Sequence, residues 1–127
     1  MSAPEVAPVT LALTQPMLQQ YADASGDHNP IHTDEEFAKT TPMGGTIAHG
    51  MLVLSTISRM MTAAFGERWL STGTLEVRFR APSRPGDTIT ARAKPADGAA
   101  EGRQRYSVEC VNQKDELLIA GTAEVAF

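Results

Sequence analysis

Cysteine is nearly absent from this chain, which contains one, Cys110, among 127 residues. A single cysteine excludes an internal disulfide framework and a cysteine-rich zinc site, and it is compatible with a reducing cytosol. Basic residues form no long run, and the formal net charge is −4. Because the electrostatic footprint of a nucleic-acid-binding protein is missing, we expect no nucleic-acid partner.

Targeting and membrane signals are also missing. Segment 1–8 has neither the basic region nor the apolar region of a secretory signal, so we interpret it as a loose tail and expect a cytoplasmic protein. The longest apolar stretch, 47–65, is interrupted by histidine, serine, threonine and arginine. This stretch is better explained as a core helix than as a membrane span, and no membrane partner is expected.

The chain length and the order of periodic patterns define the fold class. With 127 residues and 42% hydrophobic content, the chain can bury one substantial core, so we predict one domain over 1–127. Helical patterns come first and alternating patterns afterwards, which predicts an α+β fold with an antiparallel sheet packed on one face by the long helix. The predicted elements are a strand over 9–13, a helix beginning at Thr14 and Pro16, a short helix after a capping box at 33–36, a long helix ending at Phe65, and strands near 75–80, 88–93, 105–112 and 117–127.

A carboxylate and an imidazole lie five residues apart around a proline, at Asp27 and His32. Five residues of helix would leave the two side chains roughly 140° apart, and a strand would point them to opposite faces. Gly26 permits a sharp turn and Pro30 fixes its own backbone angle, so an irregular loop can aim both side chains at one point. The pair is therefore a candidate for general acid–base chemistry.

Gly50 stands at the head of the long apolar stretch, after Ala48 and His49. A helix start offers unpaired N–H groups and a positive dipole. Since glycine has no Cβ, a ligand oxygen can approach the main chain there, as an oxyanion site requires. His49 is interpreted as a structural hydrogen-bonding residue rather than a catalyst.

At these positions the sequence resembles the MaoC-like (R)-specific enoyl-CoA hydratases, or hydratase 2, of the hot-dog superfamily. The motif is an aromatic residue, a short spacer and Ser-Gly-Asp-x-Asn-Pro-hydrophobic-His, and the Ala48-His49-Gly50 run also fits. The positions that match the motif are Tyr21, Ser25, Gly26, Asp27, Asn29, Pro30, Ile31 and His32. The likeness runs from about residue 15 to the end and is strongest between residues 21 and 60.

The resemblance implies a fold, a reaction and an assembly. It implies one antiparallel sheet wrapped around the long helix, and a homodimer formed by joining two sheets edge to edge. It implies reversible hydration of a trans-2-enoyl-CoA to the (R)-3-hydroxyacyl-CoA, with Asn29 helping to position water or substrate. It implies no metal and no redox cofactor.

Each chemical demand of that reaction has a candidate group. Asp27 and His32 can hold and activate water and relay a proton, and the Gly50 amide can bind the thioester oxygen. Which member of the pair takes the first proton stays open, because interacting groups titrate as a unit. Anionic coenzyme A needs positive side chains, and the candidates clustered around one strand and its turn are Arg78, Arg80 and Arg84.

Four alternatives remain beside this interpretation. The Gly-Asp-x-Asn-Pro run taken alone is a common turn, although a turn does not account for His32 and Gly50. A hot-dog thioesterase would hydrolyse acyl-CoA instead of hydrating it. A partner subunit of a heteromeric dehydratase would contribute little activity alone. An acyl-carrier-protein thioester could replace coenzyme A, since both present the same phosphopantetheine arm.

Overall fold

The strands form one five-stranded sheet in a computed structural model that describes residues 3–127. Its order across the sheet is β1-β3-β4-β5-β2, and every neighbouring pair is antiparallel. The predicted α+β architecture with an antiparallel sheet is therefore confirmed. In chain order the strands are β1 Val9–Ala12, β2 Thr74–Phe79, β3 Thr88–Ala96, β4 Arg103–Val111 and β5 Leu117–Ala126.

The described helices all lie between β1 and β2. They are α1 Gln15–Ser25, α2 Pro30–Thr33, α3 Glu35–Ala38, α4 Gly50–Phe65 and α5 Glu67–Thr72. α1 begins as the sequence predicts, because the Thr14 side chain accepts a hydrogen bond from the Met17 amide. Gly26 ends α1 in the left-handed region with φ 81°, which glycine adopts without steric cost.

The long helix α4 packs against β1, β3 and β4 and forms the centre of the core. Its buried side chains recur at helical spacing, and Val53, Ile57 and Met60 are among them. Burying each such side chain contributes about 1.5–3 kcal/mol, which holds α4 on the sheet. α4 has 16 residues, and none of the helices within residues 3–127 combines the length and the apolar character that a bilayer crossing needs.

β2 lies at one edge of the sheet, and its last residue, Phe79, lies beside the start of α4. Val77 pairs with Gly121 of β5, and a Cβ at Gly121 would lie 2.0 Å from the Glu76 carbonyl oxygen. Only glycine at this position allows the two strands to approach so closely. The alternation along β2 directs Val77 and Phe79 toward the helix side and leaves Arg78 on the opposite face.

Two helical segments differ from the prediction. The motif loop is not wholly irregular, because Asn29 accepts a hydrogen bond from the Ile31 amide and starts the single turn α2. The next helix, α3, is capped by Asp34 and not by Thr33, since the Asp34 carboxylate accepts the Phe37 amide at 3.1 Å. Proline at the first helical position favours α2 by fixing φ before the turn forms.

The helix α5 was not predicted at all. Gly66 ends α4, as expected, but a second helix of six residues, α5, follows it directly. Trp69 explains this helix, because its ring is buried in the core and packs where a Cβ at Gly73 would lie. Burial of one large aromatic side chain thus outweighs the weak local pattern of residues 67–72.

Residues 3–8 have no regular secondary structure, but they are not a loose tail. Val6 is buried in the core, and the Tyr106 hydroxyl donates a hydrogen bond of 2.8 Å to the Pro4 carbonyl oxygen. The predicted loose tail over 1–8 is therefore corrected for residues 3–8, which are held against the core. Residues 1 and 2 lie outside the described residues. The buried tyrosine needs a hydrogen-bond partner, and the N-terminal segment provides it.

Candidate active site

Asp27 and His32 are brought together by the turn that follows α1. The His32 Nε2 atom lies 3.7 Å from the Asp27 Oδ2 atom. The His32 side chain is 12% exposed, whereas that of Asp27 is 53% exposed. The carboxylate therefore faces the imidazole from the solvent side, at a separation longer than a direct hydrogen bond.

A main-chain carbonyl fixes the orientation and the tautomer of His32. The His32 Nδ1 atom lies 2.8 Å from the Ile47 carbonyl oxygen. Because a carbonyl oxygen can only accept, Nδ1 must carry the hydrogen. In the neutral ring Nε2 is then the bare nitrogen, and it is the atom that faces Asp27.

Asn29 has a structural task in this loop. The Asn29 side-chain oxygen accepts a hydrogen bond from the Ile31 main-chain amide at 3.0 Å. The main-chain amide of Asn29 donates to the Asp27 Oδ1 atom at 3.2 Å. These bonds hold Asp27 and α2 in one fixed turn, as Asx turns do. The expected role of Asn29 in positioning water or substrate stays a prediction.

Gly50 begins α4, as predicted, with His49 as the preceding cap residue. The amides of Leu52 and Val53 already donate to the His49 carbonyl oxygen. The amides of Gly50 and Met51, like the first amides of any helix, have no acceptor within the helix itself. The oxyanion role of the Gly50 amide stays a prediction.

An open cleft of about 370 Å³ connects His32 with Gly50. Its walls are mainly apolar, and they come from the loop before α4, from α4 itself and from the end of β2. Its lining residues include His32, Met43, Gly50, Val53, Phe79 and Ile119. The cleft thus offers an apolar space between an imidazole and a helix start.

Phe79 is a site residue that the sequence did not single out. An ideal Cβ on Gly50 would lie 3.1 Å from the Phe79 ring, so the ring packs against Gly50 where a larger residue would place its side chain. The only sequence signal was its place in the alternating pattern of β2. Its 55% exposure depends on how β2 meets α4, which is a tertiary property.

A larger groove of about 630 Å³ lies on the opposite face of the sheet, and it receives two of the three predicted cofactor-binding arginines. Arg78 and Arg80 line this groove together with Arg105. The groove contains none of the acid–base or oxyanion groups, so the smaller cleft is the better candidate for the reaction. Arg80 also lines the cleft, and it is the arginine that reaches both sites.

Arg84 lies apart from the other two arginines. It lines a different surface depression together with Asp87, and its amide donates to the Asp87 carboxylate at 2.9 Å. The turn after β2 therefore separates Arg84 from Arg78 and Arg80. A shared role of the three in binding coenzyme A stays a prediction.

A polar network on the other side supports the loop before α4. The Gln15 side-chain nitrogen donates a hydrogen bond of 2.9 Å to the His32 carbonyl oxygen. The Gln15 side-chain oxygen accepts a hydrogen bond of 2.7 Å from the Thr46 hydroxyl. The Thr46 amide and hydroxyl also lie near the Glu35 carboxylate, and they lower the pKa of Glu35. Thr46 is thus tied to α1 and α3 just before the chain enters the site.

His49 makes the structural hydrogen bond that the sequence predicts. Its Nε2 atom lies 3.0 Å from the Asp27 carbonyl oxygen, and its ring stacks on that of His32 with centroids 3.8 Å apart. Burial lowers the pKa of His49 below its ordinary value of 6.5; the bond to Asp27 opposes this shift and the nearby His32 adds to it. Burial therefore favours the neutral form of the imidazole.

Within residues 3–127, the side chains of Asp27, His32 and His49 form the group whose donor atoms could meet at a metal ion. One atom each of Asp27, His32 and His49 lies within 4.8 Å of the others. Each imidazole, however, has one nitrogen committed to a carbonyl oxygen. The expectation that no metal is needed stays a prediction.

A family model described as "MaoC like domain" matches residues 3–116. The chain belongs to this family. A 3-hydroxybutyryl-CoA dehydratase of Methylorubrum extorquens is 36% identical over 110 residues, covering 83% of this chain and 67% of that protein. An (R)-specific enoyl-CoA hydratase of Rhodospirillum rubrum is 43% identical over 75 residues, covering 56% and 49%.

This MaoC-like chain spans about half to two thirds of the length of those relatives. Their names are those of hydro-lyases, with which the predicted enzyme class agrees. Among solved structures, the unliganded R-hydratase PhaJ1 from Pseudomonas aeruginosa superimposes with a TM-score of 0.85 at 28% identity, covering 99% of this chain and 81% of that one. The predicted hot-dog fold is confirmed.

Burial of a neutral His49 makes the stability of the protein depend on pH. The pKa of His49 is lowered in the folded state. Between that lowered pKa and the ordinary histidine pKa, the unfolded chain therefore binds more protons than the folded protein does. Stability contributed by the neutral ring is therefore full above about pH 6.5 and decreases as the pH falls toward the folded-state pKa. We expect His49→Phe to reduce the loss of unfolding free energy between about pH 7 and about pH 5.

Urea unfolding at several pH values measures this difference. The exposed residue Ser71, far along the chain in α5, offers a control, and Ser71→Ala should keep the wild-type pH dependence. A His49→Phe variant whose stability changes with pH as steeply as that of the wild type would contradict the prediction.

Proposed function

We propose that the protein catalyses the reversible hydration of trans-2-enoyl thioesters to (R)-3-hydroxyacyl thioesters. The observation that carries the proposal is the meeting of Asp27 and His32 at 3.7 Å, with His32 in the wall of the cleft that begins at Gly50. Family membership and the names of the relatives support the same reaction class.

The separation of the two side chains fits one water molecule held between them. When Asp27 is ionised and His32 is neutral, the facing atoms Oδ2 and Nε2 are both acceptors. A water molecule can donate one hydrogen to each, which orients its oxygen lone pairs toward a ligand in the cleft. The same contacts draw a proton from the water as its oxygen attacks.

The reaction then balances within the site. The water oxygen forms a bond to C3 of the enoyl group while one of its O–H bonds breaks, and the released proton passes to the Asp27/His32 pair. The C2=C3 electron pair moves toward the thioester oxygen, where the Gly50 amide stabilises the negative charge. C2 takes a proton from the pair, which acts as one unit and returns to its starting state.

The substrate is proposed to be a coenzyme A thioester, or the corresponding acyl-carrier-protein thioester. The names of the relatives support an acyl thioester. Arg80, which lines both the cleft and the outer groove, is the best placed cation for a phosphate of the pantetheine arm. Arg78 in the same groove can extend the positive surface.

We further propose that two copies join along β2 in the cytoplasm. Among residues 3–127, β2 pairs on one side only, with β5, so its other side can present main-chain groups to a second strand. The exposed side chains Phe79 and Met51, at 55% and 58%, lie at this edge and at the start of α4. A second copy would cover both beside the Gly50 amide.

Light scattering on the purified protein tests the assembly. We expect a mass twice the 13.6 kDa of one chain. A protein that stays monomeric at full activity would contradict the dimer. A chain that becomes active only with a different hot-dog subunit would identify it as a member of a heteromeric dehydratase.

The purified wild-type protein, without any partner, should hydrate crotonyl-CoA. Loss of the conjugated enoyl absorbance measures the rate, and chiral analysis of the product should give the (R)-3-hydroxy isomer. Release of free thiol from the same substrate without hydration would instead indicate a thioesterase. Neither hydration nor dehydration of any short acyl-CoA or acyl-carrier-protein thioester would refute the proposal.

Removal of either acid–base group should abolish most of the activity. We expect Asp27→Asn and His32→Gln each to lower kcat/KM by about 10²–10⁴-fold, because each removes one proton-transfer partner. The double variant should be no slower than the slower single variant, since the pair works as a unit. Steady-state rates on crotonyl-CoA measure both effects.

The matched control is His28→Gln, which changes a histidine in the same loop whose side chain is 60% exposed. This control should keep wild-type turnover. Unfolding curves must show that the Asp27 and His32 variants are folded. Wild-type rates in both variants would rule out the assigned roles.

A further inference from the structure

We propose that His49 is a positioning residue that fixes the acid–base pair relative to the oxyanion helix. This inference rests on the proposed hydratase function and extends it to a side chain that does not touch the reacting atoms. Its basis is that one buried imidazole is joined to three parts of the site.

The first connection is to Asp27. The His49 Nε2 atom lies 3.0 Å from the Asp27 main-chain oxygen, and a carbonyl oxygen requires that Nε2 carry the hydrogen. The Asp27 side chain is 53% exposed, so few packing contacts restrain it. The hydrogen bond from His49 therefore holds the backbone from which the carboxylate extends.

The second connection is to His32. The two imidazole rings stack with centroids 3.8 Å apart and an interplanar angle of 25°. Since the Ile47 carbonyl fixes only one edge of the His32 ring, the His49 face prevents the ring from tilting. His32 Nε2 is thereby kept directed at Asp27.

The third connection is covalent. His49 is the cap residue directly before Gly50, and its carbonyl oxygen accepts the Leu52 and Val53 amides that begin α4. A displacement of the His49 ring would also move the first turn of the helix. One residue thus connects the acid–base pair with the start of α4.

The environment of the remaining nitrogen of His49 also favours a neutral ring. Among residues 3–127, its buried Nδ1 atom has no hydrogen-bond partner, so a proton placed there would be desolvated and unpaired. The titratable groups near the ring are His32 from α2, Tyr21 from α1 at 4.8 Å, and Asp27 and His28 from the loop. A neutral His49 adds no positive charge beside His32, which can then accept the proton of the reaction.

Two substitutions separate the ring from the hydrogen bond. His49→Phe keeps an aromatic face against His32 but removes the donor to Asp27, and His49→Gln returns an N–H donor without the ring. Because a misplacement of about 1 Å can cost roughly 100-fold in rate, we expect His49→Phe to lower kcat about 10–100-fold. KM should stay within about threefold, since the apolar cleft walls are unchanged, and His49→Gln should recover part of kcat.

Kinetics on crotonyl-CoA are compared with His28→Gln as the control, after unfolding curves show that every variant is folded. A raised KM at unchanged kcat would mean that His49 contacts the substrate and would overturn the inference. Wild-type kcat in both His49 variants, or losses that follow only the unfolded fraction, would overturn it as well.

A measurement without turnover distinguishes this inference from the proposed function. Long-range ¹H–¹⁵N spectra of the histidine rings should show His49 as the Nε2–H tautomer, and His49→Phe should shift the His32 ring and Asp27 amide signals. An Nδ1–H tautomer, or unchanged His32 and Asp27 signals, would contradict the positioning role. An inactive wild type with the expected spectra would refute the hydratase and leave the geometry supported.

Discussion

The hydrogen bond between His32 Nδ1 and the Ile47 carbonyl oxygen, at 2.8 Å, is the contact on which the site depends. Ile47 holds α2 twice, because its amide also donates to the Ile31 carbonyl oxygen at 3.1 Å. The loop that leads into α4 is thereby paired with the helical turn that carries His32. Through these two bonds one residue orients the His32 ring, selects its tautomer and ties α2 to the loop that leads into α4. The Gln15 and Thr46 network then holds the same loop from its other side.

Most of the fold could be predicted because its signals are local. Thr14 and Pro16 mark the start of α1, Gly66 marks the end of α4, and alternating side chains mark β2; all three are found where they were expected. The missed parts depend on distant contacts. α5 forms because Trp69 is buried, and segment 3–8 is held because Tyr106, about a hundred residues away in sequence, donates to Pro4. No window of neighbouring residues contains that information.

The candidate site divides in the same way. Asp27, His32 and Gly50 could be identified because the motif lies in two short runs, and the chemistry of each residue type limits its role. The position of Phe79 beside Gly50 could not be predicted, because it follows from the packing of β2 against α4. The separation of Arg84 from Arg78 and Arg80 has a similar cause, since nearness in sequence says nothing about which face of a sheet a turn directs a side chain to.

The floor of the cleft is made of the same atoms as the interior of the protein. Val53 and Ile119 line the cleft and also belong to the hydrophobic core, where they are 4% and 1% exposed. Enlarging the floor by truncating such a side chain costs about 2–5 kcal/mol for an isoleucine reduced to alanine, a large part of the stability of a small domain. The rim is different, because Met43 and Phe79 are substantially exposed. A substitution at the entrance can therefore reshape the cleft at a far smaller loss of folding stability than a substitution at the base.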